Sequence, residues 1–337
     1  MGLELTLPEP SMASSNTRFI YLSSEFIIKC IFDNTLNEPI RILVQSTYSQ
    51  LNQLRKISAK YLFEEAKKAF LPYDVAERDS ILHVLFEDLF QIFKIDLVVN
   101  KEIDWDEDLQ LQLDLAVQRL NNLEPVQYVV GKAYFFNSYF QVNASTLIPR
   151  PETEELVQLI IYDTQIPNPK IIDIGTGSGC IAISLAANIK GSSVTAVDIS
   201  VRALETAALN AKALQVEIDF IEADFLQGQY KIGGQFDIIV SNPPYVLESE
   251  KEHMRENVLA HEPHLALFVE DTNAMVYYEA LMQFASRQLN PSGYVYAEIN
   301  EQKGQEMIAL ATQYGFSKVE IIKDFFGKDR MFKAHKI

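Results

Sequence analysis

The sequence predicts an α/β protein built on a doubly wound, mainly parallel sheet, with a small helical bundle and a β-hairpin ahead of it. Two segments carry that prediction. Lys170-Ile171-Ile172-Asp173-Ile174 is a short β-branched run that empties into Gly175-Thr176-Gly177-Ser178-Gly179, and residues 180–187 follow with helical composition. Strand, glycine-rich turn and helix in that order form the first crossover of a doubly wound fold. Farther on, Phe236-Asp237-Ile238-Ile239-Val240-Ser241 reads as a buried strand ending at Asn242-Pro243-Pro244-Tyr245. A parallel strand of this kind ends at a cleft.

The elements follow in chain order. Residues 1–45 hold strand-like runs such as Phe19-Ile20-Tyr21 but no motif, and read as an extension of unknown role. Residues 46–122 read as helical. Leu51, Leu54, Ile57, Tyr61 and Leu62 recur at spacings of three and four, as do Ile81, Leu82, Leu85, Leu89 and Phe93. A third apolar stretch runs from Leu109 to Leu120, with Asp104 or Asp106 placed to cap its helix. Alternating aromatic and polar positions around Asn137-Ser138 predict a β-hairpin linker over 123–148. The remaining domain spans 149–337. In it Ser193–Val197 ends in Asp198, and Ile218–Ile221 runs into Glu222-Ala223-Asp224-Phe225. A helix is expected near 273–289, a strand at Tyr294–Ile299, a helix over 302–314, and an antiparallel pair at Val319–Ile322 and Arg330–Ala334.

The chemistry begins at Asn242-Pro243-Pro244-Tyr245. Two prolines fix two φ angles and remove two N–H donors, and Pro243 pushes Asn242 out of the helical region. The result is a stiff loop with free carbonyls, an amide at one end and an aromatic ring at the other. It suits a planar NH2 group, whose two hydrogens the Asn242 side-chain oxygen and the Pro243 carbonyl accept, with Tyr245 against its plane. A rigid turn closing a strand is the alternative for the tetrapeptide alone.

Glycines let backbone approach a ligand closely. The spacing Gly-x-Gly-x-Gly differs from the Gly-x-Gly-x-x-Gly dinucleotide pattern, although a glycine loop by itself suits either ligand. Asp198, at the tip of the second strand, is placed to accept hydrogen bonds from ribose hydroxyls. Asp224 is placed for an adenine amino group and Phe225 for the adenine ring. Both carboxylates equally suit caps of the elements that follow. In this order, the glycine loop, Asp198, Asp224 and the Asn-Pro-Pro-Tyr loop fit S-adenosylmethionine.

Composition narrows the class. A length of 337 residues supports two domains, and no apolar run reaches a membrane span. No secretory signal is recognisable, and two cysteines, Cys30 and Cys180, make no disulfide framework, so a reducing cytoplasm is expected. Cys180 reads as a small buried residue. A formal charge of −17 opposes nonspecific phosphate binding and favours a basic protein partner or a small cation. His261-x-x-His264 has ligand spacing, but Pro263 interrupts the helix that would align the pair, so no metal is expected. Trp105 reads as a helix-cover residue.

Further stretches carry a resemblance. Glu124-Pro125-Val126-Gln127-Tyr128-Val129-Val130-Gly131, Leu147-Ile148-Pro149-Arg150-Pro151-Glu152-Thr153-Glu154, and Glu262-Pro263 with Ala266-Leu267-Phe268 join the two motifs above. Over roughly residues 50–335 the chain resembles the HemK/PrmC family of release factor glutamine methyltransferases, which are class I S-adenosylmethionine-dependent enzymes. It departs from the family's usual Gly-Gly-x-Asp-Gly-Leu stretch at Val269–Met275, and no functional residue is carried over there.

The resemblance implies a Rossmann-like sheet of seven strands and a helical module (46–122) that docks a protein substrate. It implies methylation of the glutamine in the Gly-Gly-Gln motif of class I peptide chain release factors, without direct nucleic-acid or membrane binding. Asn242, Pro243 and Tyr245 are the expected catalytic residues, with Pro244 and Arg150 also against the substrate. Gly175, Thr176, Gly177, Ser178, Gly179, Asp198, Asp224, Phe225 and Asn242 are expected around the cofactor. Arg150 equally suits a structural ion pair with Glu152 or another neighbour, and Glu152 and Thr153 suit the start of the next helix. The alternative function is methylation of an exocyclic base amine in DNA or RNA, since the same loop chemistry serves a flipped base. The acidic charge argues against it.

Overall fold

A computed structural model describes residues 54–228 and 232–336. The 1–45 extension and Leu51 lie outside these residues. The chain divides into two compact units, and the described part of the first takes in Leu54–Ile57 together with Glu102–Gln112. There β1 (Arg55–Ser58) pairs with β2 (Glu102–Trp105). Lys56 bridges Asp104 at 2.7 Å, and the buried Trp105 donates its indole N–H to Gln110 at 3.0 Å. The helical spacing through Leu54, Ile57 and Tyr61 is therefore interrupted, because Ile57 lies in a strand whose partner is more than forty residues away. A helix-like spacing of a few residues carries no information about so distant a pairing.

Helices α1 (Ala59–Ala69), α2 (Val75–Phe90), α3 (Lys94–Val98), α4 (Glu107–Asn121) and α5 (Val126–Val130) follow. Side-chain oxygens satisfy the free N–H groups that open three of them. Ser58 caps α1 through Tyr61 N at 3.1 Å, Asp74 caps α2 through Glu77 N at 3.0 Å, and Asp106 rather than Asp104 caps α4 through Leu109 N at 2.8 Å. Leu82, Leu85 and Phe86 of α2 pack toward Leu62, Phe63 and Ala66 of α1, with the Phe63 and Phe86 rings edge to face at 5.3 Å.

Strands β3 (Lys132–Phe135) and β4 (Ser138–Gln141) form the hairpin, turning at Phe136 and Asn137, both at positive φ. A two-residue turn of that hand matches the strand twist. Alternation puts Phe135 and Phe140 into the core and leaves Tyr134 and Tyr139 outside. The buried Asn210 side chain binds both the N–H and the C=O of Gln141, at 2.7 and 3.0 Å, and fastens the hairpin to the helix it sits on.

The central sheet contains β5 (Lys170–Ile174), β6 (Ser193–Asp198), β7 (Asp219–Glu222), β8 (Phe236–Ser241), β11 (Leu289–Glu298), β12 (Lys318–Lys323) and β13 (Asp329–His335). Its order is β7-β6-β5-β8-β11-β13-β12. The first five in that order are parallel, and β13 runs antiparallel to both neighbours. Short strands β9 (Val246–Leu247) and β10 (Phe268–Val269) pair beside it.

Side chains alternate between the sheet faces. Ile172, Ile174, Ile239, Val295 and Ala297 pack with α10 (Val276–Gln288) and α11 (Gly304–Gln313). Ile171, Val194, Ala196, Ile238 and Val240 pack with α6 (Pro151–Asp163), α7 (Cys180–Asn188) and α8 (Val201–Ala213). A short α9 (Glu256–His261) completes the helices named here. Both sheet faces are covered, as a parallel sheet requires.

Candidate active site

Strand order reverses direction between β5 and β8, so their carboxyl ends open a crevice at the switch point. The cavity there encloses about 260 Å³, near the lower end of the ~300–1,000 Å³ range of small-molecule sites. Its wall brings together Gly175, Thr176, Gly177, Ser178, Asp198, Asp224, Phe225, Asn242, Pro243, Pro244 and Arg150. Gly179 and Tyr245 do not line it.

The glycine loop is held from two sides. Gly175 and Thr176 donate their N–H groups to Val197 O at 2.8 and 3.0 Å, and Gly177 donates to Asp198 Oδ2 at 2.8 Å. Gly175, Gly177 and Gly179 all have positive φ, a conformation that a side chain disfavours. Gly179 does its work away from the ligand, since a Cβ on it would come within 3.1 Å of Ala207 Cβ and 2.9 Å of Ile183 Cδ1. Its missing side chain lets α7 and α8 approach.

Asp198 serves two purposes. Its Oδ1 accepts from Ser200 N at 2.9 Å while Oδ2 holds the glycine loop. Burial pushes its carboxyl above the usual range, against the pull of those N–H groups. Asp224 accepts from Leu226 N at 3.0 Å and caps the turn Phe225–Gln227, as the capping alternative anticipates, yet it also borders the cavity. The buried Phe225 meets Phe284 edge to face at 5.5 Å and also lines the cavity.

The Asn-Pro-Pro-Tyr loop is anchored behind the cavity. Tyr245 donates its hydroxyl to Glu298 Oε1 at 2.7 Å, and Thr153 donates to Glu298 Oε2 at 2.7 Å. Asn242 Nδ2 donates to Thr153 Oγ1 at 3.1 Å. Asn300 Nδ2 donates to the Tyr245 carbonyl at 3.2 Å, and Arg330 Nη1 lies 3.4 Å from the Tyr245 hydroxyl. Burial holds the Tyr245 phenol well above its ordinary pKa, so it remains a donor, and burial likewise raises the Glu298 carboxyl.

Arg150 pairs with Glu262, not Glu152. Its Nη2 lies 2.6 Å from Glu262 Oε1, while Oε2 of the same buried carboxylate accepts from Ile148 N at 3.1 Å. Two motif stretches more than a hundred residues apart are thereby fastened at the cavity rim. His261 and His264 face backbone carbonyls of Asn122 and Leu259, at 2.9 and 2.8 Å. Among the described residues no group of three or more His, Cys, Asp or Glu side chains is arranged for a metal ion, and no helix is long and apolar enough to cross a membrane. Cys180 is buried, which pushes its thiol up to about 12.

Sequence reasoning passed over several residues. Tyr277, Leu281, Leu265 and Ile199 line the cavity, and nothing local in their sequence marks them. Asp173 and Glu298 carried a signal, a carboxylate inside an apolar strand run. Asp173 is fully buried between the loop and α7, with Oδ2 accepting from Thr176 Oγ1 at 2.7 Å and Ala182 N at 3.3 Å. Its Oδ1 has no partner. Burial pushes this carboxyl up to about 7.

Comparison with known proteins settles the family. The "PrmC N-terminal domain" model matches residues 62–131, and the "Methyltransferase small domain" model matches residues 153–267. A release factor glutamine methyltransferase of Flavobacterium psychrophilum is 44% identical over 267 residues, spanning 78% of this chain and 93% of that protein. One from Bacteroides thetaiotaomicron is 42% identical over 78% of this chain and 95% of its own length. A third, from Lactococcus lactis, is 42% identical over 75% of this chain and 93% of its own length.

The chain belongs to the release factor glutamine methyltransferase family.

It is therefore a methyltransferase that uses S-adenosylmethionine. The residues present suit that cofactor on chemical grounds. The glycine loop offers close backbone approach at the cavity wall, and carboxylates stand at the tips of β6 and β7 beside it.

Proposed function

We propose that the chain methylates the side-chain amide nitrogen of the glutamine in the Gly-Gly-Gln motif of class I peptide chain release factors, in the cytoplasm. The observation that carries this reading is the rigid Asn242–Tyr245 loop at the wall of the glycine-loop cavity, in a chain of this family. S-adenosylmethionine supplies an electrophilic methyl group when bound. Gly175, Thr176, Gly177, Ser178, Asp198, Asp224 and Phe225 are the residues that would hold it, with Asn242 at the boundary with the substrate.

The chain's own contribution is orientation. A glutamine amide nitrogen is a weak nucleophile because its lone pair is delocalised into the carbonyl. Asn242 Oδ1 and the Pro243 carbonyl accept its two hydrogens, which sets the direction of the nitrogen and stabilises positive charge as it develops there. Pro244 stiffens the acceptor and Tyr245 anchors it through Glu298. No general base is required before attack, since the nitrogen becomes far more acidic as it gains the methyl group. Arg150, paired with Glu262, borders the substrate side. Residues 46–122 serve as the docking module for the protein substrate, 123–148 as the hairpin linker and 149–337 as the catalytic domain. The match of residues 62–131 to the family's amino-terminal domain supports an amino-terminal module ahead of the catalytic domain.

The test offers labelled S-adenosylmethionine with purified release factor, its Gln→Ala loop variant, and unmethylated DNA and RNA. Label on the intact factor alone is expected. Label on nucleic acid instead would overturn the substrate class. Asn242→Ala is expected to lower kcat by about 100-fold or more with the cofactor Kd nearly unchanged.

A further inference from the structure

Glu298 and Thr153 share no local sequence context with Asn242, yet the three form one hydrogen-bonded chain. Asn242 Nδ2 to Thr153 Oγ1 is 3.1 Å, and Thr153 Oγ1 to Glu298 Oε2 is 2.7 Å. The second carboxylate oxygen takes the Tyr245 hydroxyl at 2.7 Å. Thr153 and Glu298 are both buried, and the guanidinium of Arg330 stands beside the Tyr245 hydroxyl at 3.4 Å. Thr153 also reaches the cavity wall, whereas Glu298 does not.

Donor and acceptor counting makes this chain directional. Both oxygens of Glu298 are used as acceptors, Oε2 for Thr153 and Oε1 for Tyr245, with the Arg330 guanidinium close by as counter-charge, and a carboxylate engaged in this way only accepts. A threonine hydroxyl has one proton, and here Glu298 takes it. Thr153 Oγ1 then has only lone pairs left to offer, so the side chain of Asn242 must present its NH2 group there. The amide is planar, so its oxygen is turned the other way and is left as the free acceptor. A reversed amide would set carbonyl oxygen against hydroxyl lone pairs in a buried place and leave one acceptor unmatched. An asparagine beside an ordinary threonine has no such preference, because the hydroxyl can rotate to suit either face. Only the fixed acceptor behind it removes that freedom.

We propose that Thr153, with its proton held by Glu298, is a positioning residue that locks the Asn242 amide with its oxygen toward the methyl acceptor. This rests on the reading of Asn242 as the acceptor for the substrate NH2. Neither Thr153 nor Glu298 touches the reacting atoms. Thr153 occupies the first turn of α6, two residues after Pro151, and Glu298 ends β11. The lock therefore ties the acceptor loop to a helix and a strand that are both in the core.

Thr153→Val keeps shape and removes the hydroxyl. It is expected to lower kcat on release factor by about 10- to 100-fold, the scale of one charge-linked hydrogen bond lost near a reacting group. KM and the cofactor Kd should move little. Thr153→Ser should restore most of the rate. In an Asn242→Ala background, Thr153→Val should cost almost nothing further, because the group it orients is gone. An undiminished effect of Thr153→Val in that background would mark a general structural role and overturn the proposal, as would near-normal kcat in the single variant. Thr153→Ala serves if the valine variant does not fold.

A second readout is independent of methyl transfer. The Asn242 side-chain NH2 pair, assigned in 15N spectra by its loss in Asn242→Ala, should exchange slowly with solvent in the wild type and much faster in Thr153→Val. Equal exchange in both proteins would refute the lock whatever the substrate proves to be. Absence of wild-type activity on release factor, with that exchange difference intact, would instead reject the substrate reading alone.

Discussion

Replacing Gly179 with alanine separates the two duties of the glycine loop. Gly179 has φ +80°, where an L-residue costs about 1–2 kcal/mol. The added Cβ would also stand 2.9 Å from Ile183 Cδ1, 3.1 Å from Ala207 Cβ and 3.4 Å from Ala207 Cα. The isoleucine tip can swing aside. Ala207 cannot, because its Cβ is fixed to the backbone of α8, and the helix itself must shift by a few tenths of an ångström. Overpacking of this kind costs about 1–3 kcal/mol, for a total of roughly 2–5 kcal/mol. Gly177→Ala is the matched control. Its φ is +56°, and its Cβ would meet nothing within 4 Å, so it should cost only the backbone penalty of about 1–2 kcal/mol. Gly177 lines the cavity and Gly179 does not, so the control should lose more cofactor affinity and less stability. Urea denaturation gives the stabilities from the midpoints at constant slope, and calorimetry gives the cofactor Kd. Equal destabilisation by the two substitutions would refute the packing argument.

Two further outcomes follow from the buried charges. Asp173 has its carboxyl pushed from 3.8 to about 7 by burial, so the folded state holds its proton more tightly than the unfolded state. Its contribution to stability is fully present below the unfolded pKa and is lost as pH rises through about 7. Relative to Asp173→Asn, wild-type stability should fall between pH 5 and 7 and level off above, and a flat difference in paired urea titrations would contradict the burial. Arg150→Met should destabilise by about 3 kcal/mol, the low end for a broken buried pair, since Arg150 is a third exposed and Glu262 almost fully buried. Adding Glu262→Gln should recover part of that loss in thermal melts. A raised KM for release factor at unchanged stability would instead make Arg150 a substrate contact.

What the sequence determined by itself lies where the physics is local. Proline stereochemistry at Pro243 and Pro244, the alternation of Phe135 and Phe140 against Tyr134 and Tyr139, and the strand-loop-helix order at 170–188 each depend on neighbours a few residues away. They were therefore readable, and the prolines and the 170–188 segment supply part of the cavity wall. Local spacing misled at Ile57, where a strand partner at Glu102–Trp105 outweighs a helix-like interval. Tertiary structure alone decided the pairings across long separations. Arg150 finds Glu262 rather than the adjacent Glu152, since only the fold buries Glu262 at the rim. Tyr277 and Leu265 reach the cavity because their elements pack there. The same holds for Glu298. Its place in an apolar run signals that the carboxylate is buried, but only the sheet order, which sets β11 beside β8, brings it to Thr153 and Tyr245. Hydrogen-bond direction is a property of that assembled set of donors and acceptors, and no single segment carries it.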